Sequence, residues 1–243
     1  MGVLAKLQLG RMLRDWRKVR VSTGLSWLMK LLMIGLLPIE LYGGDYLFFL
    51  ATAAAIVLSL VPSAVQHNYD ITLPFELDLL ITLSIFLHTF MGEWLDLYKT
   101  VGVWDQILHF YGSAVVALLA FVTVYTLHYT KRLRLTLPLI GFFTVTIAMA
   151  AGGVWEIGEF SVDKLFARTT QDGLDDTMWD LIYDLVGAML VAALGILYVR
   201  YSNVGTRKRL ARPIGEVFGL GHRIDRLKRR MKKVKKTMKK DKD

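Results

Sequence analysis

The sequence predicts an all-α fold: a polytopic membrane helical bundle of about six transmembrane helices with both termini cytoplasmic. Three observations carry this expectation. The 243 residues are 54% hydrophobic and their mean hydropathy is positive. Several apolar runs approach the roughly 20 residues that cross a hydrocarbon core of about 30 Å. Lys and Arg gather in segments that a six-span chain places on one side, as expected of cytoplasmic loops.

Taken in order, residues 1–23 read as an N-terminal basic interfacial segment carrying Arg11, Arg14, Arg17, Lys18 and Arg20. The segment has no short apolar core ending in a small-residue cleavage site, so the first apolar run is expected to stay as an anchor. Lys6 stands where a myristoylation signal needs Ser or Thr. Residues 24–201 read as a six-helix transmembrane domain, with spans over 24–42, 46–66, 75–95, 104–129, 133–158 and 178–201. Their apolar residues run all the way round, as lipid-embedded helices require. Lys30 interrupts the first span and is expected to snorkel its long stem to the headgroups.

Lys131, Arg132 and Arg134 join the fourth and fifth spans. The tryptophans agree with that orientation, since indole prefers the interface: Trp94, Trp104, Trp155 and Trp179 fall at outer ends, Trp16 and Trp27 at inner ones. Residues 202–243 read as a basic cytoplasmic amphipathic tail. From 203 onward the tail holds 16 Lys and Arg against 4 acids, a charge of +12, so the rest of the chain carries −3 of the overall +9. Ile224, Leu227, Met231, Val234 and Met238 form an apolar stripe between the basic residues, which suits an interfacial helix on the anionic inner leaflet. The basic run beyond Arg223 interleaves no aromatic residue, which argues against nucleic acid as the partner.

Cysteine is absent, which excludes disulfides, thiolate metal sites and cysteine nucleophiles and leaves oxygen and imidazole chemistry. That chemistry concentrates at the outer ends of the later spans. Glu156 and Glu159 share a helix face in "GGVWEIGEF". Asp176, Asp180 and Asp184 recur every four residues, and Asp105 precedes His109 by the same interval. His88 and Glu93 close the third span. Such acids face a bundle interior or a wet cavity rather than lipid. Crowded there, they need protons, a counter-charge or a bound cation.

Imidazole with carboxylates suits Zn, Mn or Fe, and carboxylates with water suit Mg, Mn or Ca. The metal ligands expected are Glu156, Asp180, Asp184, His109, His88 and Glu93, with Glu159 or Asp105 as general base or outer partner. Asp172, Asp175 and Asp176 read as loop or N-cap residues. Gly112, Ser113, Gly187 and Ala188 read as small residues for close helix packing. A hydrogen-bonded structural network and a proton or cation pathway draw on the same residue types, so all three readings stay open.

The segments "WDQILHFYGSAVVALLAF", "GGVWEIGEF" and "LDDTMWDLIYDLVGAMLVAALG" resemble the hallmarks of the YjdF-like bacterial integral-membrane family, and more distantly VanZ-like proteins. The resemblance spans roughly Asp70 to Leu197 and omits the tail. It implies a multi-pass protein of the bacterial plasma membrane with an important acidic site at Asp105, His109, Glu156, Glu159 and Asp180. VanZ-like proteins are associated with tolerance to glycopeptide antibiotics, and the resemblance supplies no reaction. The leading expectation is a divalent metal (Mg, Mn, Ca or Zn) assisting chemistry on a lipid or lipid-linked envelope substrate in an outward-facing pocket. The alternatives are a small proton- or cation-coupled transporter and a non-catalytic membrane scaffold.

Overall fold

The computed structural model describes residues 3–225, with side chains described from Val21 onward. The expected stripe from Leu227 to Met238 lies outside the described residues. Among the described residues the α-helices bounded at both ends are α1 (Val3–Gly43), α2 (Tyr46–Tyr69), α3 (Leu77–Phe86), α4 (Leu97–Thr100), α5 (Trp104–Tyr129), α6 (Leu137–Phe166), α7 (Leu174–Tyr201) and α8 (Val204–Val217). A 3₁₀ turn over Pro74–Glu76 leads into α3, and a π-helical stretch over Leu87–Trp94 continues it. No strand occurs among the described residues.

Among the described residues, six helical segments are long and apolar enough to cross a membrane: Val21–Gly43, Tyr46–Tyr69, Pro74–Trp94, Trp104–Tyr129, Leu137–Phe166 and Leu174–Tyr201. Phe142, Val154, Ile157, Leu190 and Leu194 are exposed on these helices. Against hydrocarbon such surface carries no hydrophobic penalty, so the association of the helices rests on packing and polar contacts. α5 is the most enclosed of the six, with half of its apolar window buried against a third or less elsewhere.

By contacts the chain divides into one unit of residues 1–68 with 75–108 and another of residues 69–74 with 109–243. In the first unit α1 packs on α3, and the contact is built around a buried ion pair. Lys30 is fully buried. Its Nζ lies 3.2 Å from Asp78 Oδ1 and donates to Ser63 Oγ at 2.7 Å. Ser63 Oγ donates to Asp78 Oδ1 at 2.6 Å, and Ser26 Oγ donates to Asp78 Oδ2 at 2.8 Å. Lys30 therefore does not snorkel. An acid on another helix sits within reach, and pairing inside the protein replaces the headgroup water that the stem would otherwise seek. Ten positions further along α1, buried Glu40 accepts a hydrogen bond from Thr52 Oγ1 of α2 at 2.9 Å.

In the second unit α6 and α7 pack together, and Ala117, Ala148 and Ala188 form a buried apolar cluster contributed by α5, α6 and α7. Small side chains let the backbones approach. Gly187 shows how close they come, since a Cβ there would run into Phe110 O and Ser113 Oγ of α5. Ser113 Oγ also donates to Asp184 O at 2.8 Å, fixing α5 to α7. α8 turns back onto the far end of α5. Asn203 Oδ1 accepts from Thr206 N at 2.9 Å as its N-cap, and Leu210, Ala211 and Ile214 are buried. Ile224, the first member of the expected stripe, is buried too, its side chain lying where a Cβ on Gly215 would need to go.

α7 begins at Leu174, four residues before the expected start of the sixth span. Acids are favourable in the first turn of a helix, so Asp175 and Asp176 belong to the helix and not to a preceding loop. Asp176 is accordingly not the N-cap, which is Gly173. Its Oδ2 instead accepts from Asp172 N at 3.0 Å, tying the residue before the N-cap to the first turn.

Candidate functional site

Four of the expected residues meet inside the second unit, at the end where α5 starts, α6 finishes and α7 starts. His109 is one turn into α5 from Asp105. Glu156 lies ten residues before the end of α6, and Asp184 ten residues after the start of α7, a depth of about 15 Å along the helix. Relative exposures are 8% for His109, 5% for Glu156, 1% for Asp180 and 2% for Asp184, so the group is enclosed by the helices.

The imidazole lies between two carboxylates. His109 Nε2 is 3.6 Å from Glu156 Oε1, and His109 Nδ1 is 3.4 Å from Asp184 Oδ1. These separations exceed the 2.7–3.2 Å of N–H···O hydrogen bonds and describe charge apposition with slack. Glu156 Oε1 and Asp184 Oδ2 have no hydrogen-bond partner although both are buried. Ligand atoms of His109 and Asp180 lie within 4.8 Å of each other, and a carboxylate oxygen of half-buried Asp105 lies within the same distance of the imidazole.

Local sequence explains why the carboxylates can be there. A Cβ on Gly152 would collide with Asp184 Oδ2, so only glycine at this position of α6 leaves room for the buried acid of α7. Its neighbour Gly153 meets nothing within 4 Å. Glu156 is steadied from the loop that follows. Asp163 Oδ1 accepts from Thr170 N at 2.7 Å and Thr170 Oγ1 at 2.8 Å, and Asp163 Oδ2 accepts from Gln171 N at 3.0 Å. The loop is thereby folded over the end of α6. Gln171 Nε2 then donates to Glu156 Oε2 at 2.9 Å and to Glu156 O at 3.1 Å.

The other expected residues are placed differently. Glu159 is half-buried, and its Oε1 accepts from Trp155 Nε1 at 2.9 Å one turn earlier on α6. His88 and Glu93 lie on the π-helical stretch of the first unit. There His88 Nδ1 is hydrogen-bonded to Tyr98 Oη at 2.5 Å, and Glu93 is exposed. Asp172 is exposed in the loop, matching its reading, whereas Asp175 is exposed in the first turn of α7 and is neither loop nor N-cap. Gln171, Asp163 as the loop's anchor and Gly152 as a steric gap have roles that spacing did not reveal. The double glycine of "GGVWEIGEF" was the available signal for the gap.

Comparison with known proteins gives the chain its relatives. An uncharacterised protein of Thermotoga maritima is 38% identical over 125 residues, covering 50% of this chain and 62% of that protein. The chain thus matches under two thirds of the length of that curated relative. No solved structure matches it. The model of the family described as "Predicted membrane protein (DUF2238)" matches residues 24–201, all six apolar segments with the His109, Glu156, Asp180 and Asp184 group among them, and the chain belongs to that family.

Proposed function

We propose that the group around His109 is a membrane-embedded divalent-cation site, with Glu156, Asp180, Asp184 and His109 as ligands and Asp105 one turn before His109 on α5. One observation carries this reading: three carboxylates are buried around a single imidazole. Even with the imidazole protonated, at most one positive charge arises within a group that holds three acids. Burying an ionised carboxylate without compensation costs several kcal/mol. The deficit is met either by protons or by a cation, and a divalent ion meets it while using hard oxygens together with one imidazole, the donor set of Mn and Zn.

A metal so held favours phosphate oxygens, so a phosphate-bearing lipid or lipid-linked envelope substrate at the bacterial plasma membrane is the class it fits. The likeness to YjdF-like and VanZ-like proteins supports an envelope setting. The chain's own residues would act as orienting groups: Gln171 holds one Glu156 oxygen, and Ser113 holds the backbone of Asp184. Outer partners of this kind fix ligand geometry.

The test is metal content measured by mass spectrometry on protein purified without chelator. The expected result is about one equivalent in the wild type and near zero in Glu156→Gln with Asp184→Asn, with helicity unchanged. Near-zero metal in both would remove the metal reading. A second reading, a proton relay, is favoured by the apposition of each imidazole nitrogen to a different carboxylate. Proton-coupled uptake in proteoliposomes, abolished by His109→Ala, would support the relay instead.

A further inference from the structure

At the opposite end of α5 the second unit contains a cavity of about 610 Å³ that the carboxylate site does not use. Tyr125 and His128 lie 16 and 19 residues beyond His109 on the same helix, roughly 24–29 Å away. The cavity's charged lining residues are Lys131, Arg134 and Arg207, and none of its lining residues is acidic. Its volume falls within the range of small-molecule sites, roughly 300–1,000 Å³.

The donors around it are oriented by their own neighbours. His128 Nδ1 accepts a hydrogen bond from Leu135 N at 3.2 Å. The ring proton of the neutral imidazole is therefore on Nε2, a donor carried by a residue that lines the cavity. Arg207 is held in place by donating from Nε to Ser202 O at 3.1 Å and from Nη2 to Arg200 O at 3.3 Å. Two of its five N–H donors are spent on those carbonyls. Lys131 is placed by a left-handed turn at φ 60° where the chain leaves α5. Tyr125, Leu133, Leu135 and Val204 supply apolar wall between these groups.

We propose that this cavity binds a phosphate-bearing anion with an apolar portion, the phosphate set among Lys131, Arg134, Arg207 and His128. Arg and Lys around an anion give charge-assisted hydrogen bonds, about twice as strong as neutral ones. On the orientation expected from loop charge, the cavity faces the cytoplasmic leaflet, where acidic phospholipids supply such a group. A soluble phosphate ester supplies the same chemistry. The proposal does not depend on the cation site.

The experiment is native mass spectrometry of the full chain in detergent, titrated with phosphatidylglycerol or phosphatidylcholine, and in a separate arm with glycerol 3-phosphate. Phosphatidylglycerol should saturate one site at least tenfold more tightly than phosphatidylcholine. Lys131→Ala with Arg134→Ala, both on an exposed loop, should abolish that preference, and Lys131→Arg with Arg134→Lys should retain it. Arg132→Ala with Arg209→Ala removes the same charge outside the cavity lining and should leave it intact. Saturable binding of glycerol 3-phosphate alone, lost in the same alanine pair, would identify the soluble source. The proposal is overturned if neither phosphate probe saturates, or if the control pair weakens binding as much as the cavity pair.

Discussion

Gly152 and Gly153 are adjacent, yet one carries a structural demand and the other none. A methyl group on Gly152 must displace a buried carboxylate, whereas one on Gly153 enters open space. Gly152→Ala should lower the melting temperature in detergent by the equivalent of about 1–3 kcal/mol, the usual cost of overpacking. Gly153→Ala should leave it unchanged, and equal behaviour of the two would refute the close contact. Lys30 is the other residue with a sharp expectation. Removing one partner of a buried ion pair costs about 3–5 kcal/mol, while replacing both with apolar residues of similar volume is often neutral. Lys30→Met should destabilise strongly, and adding Asp78→Leu should recover much of the loss. A double-mutant cycle in thermal unfolding reads the coupling directly. Lys30 was misread from sequence because a lone basic residue near a span end has a local explanation. The acid that binds it stands 48 positions away.

Among the elements, the connection between α6 and α7 is ordered by one side chain. Asp163 accepts three hydrogen bonds from Thr170 and Gln171, and through them the loop presents Gln171 to Glu156. Asp163→Ala should raise hydrogen exchange at the Thr170 and Gln171 amides more than tenfold. Gln171→Ala should leave both amides protected while lowering the metal content at the proposed cation site. Protection retained in Asp163→Ala and lost in Gln171→Ala would show that Gln171, not Asp163, holds the loop. The four-residue spacing of Asp176, Asp180 and Asp184 was legible because helical periodicity alone puts them on one face. Gln171 was not, since a loop's path depends on contacts that no repeat announces. The start of α7 was read too late because apolar content marks where hydrocarbon begins. The helix itself continues outward, its first-turn acids favoured by the helix dipole.

For the molecule as a whole, six segments were legible because hydrocarbon demands apolar surface along each helix, and the sequence meets that demand over most of every span, broken by Lys30 and a few acids. Sidedness is the corresponding prediction. With no native cysteine, single substitutions can be labelled from either side of intact cells. Arg132→Cys should react only after the membrane is permeabilised, and Thr169→Cys should react from outside. The reverse pattern would invert the orientation drawn from the basic loops. Fold class follows from composition, whereas the convergence of α5, α6 and α7 on one imidazole is a property of packing that no single segment carries.

α5 runs from Trp104 to Tyr129 with no proline, and Ser113 rivets it to α7 partway along. His109 stands near one mouth of this rod and His128 near the other. A strut of that kind joins the two ends, so any shift of α5 that filling one end produces would be felt at the other. If both proposed sites fill, phosphatidylglycerol at the basic end should shift the metal affinity measured at the carboxylate end.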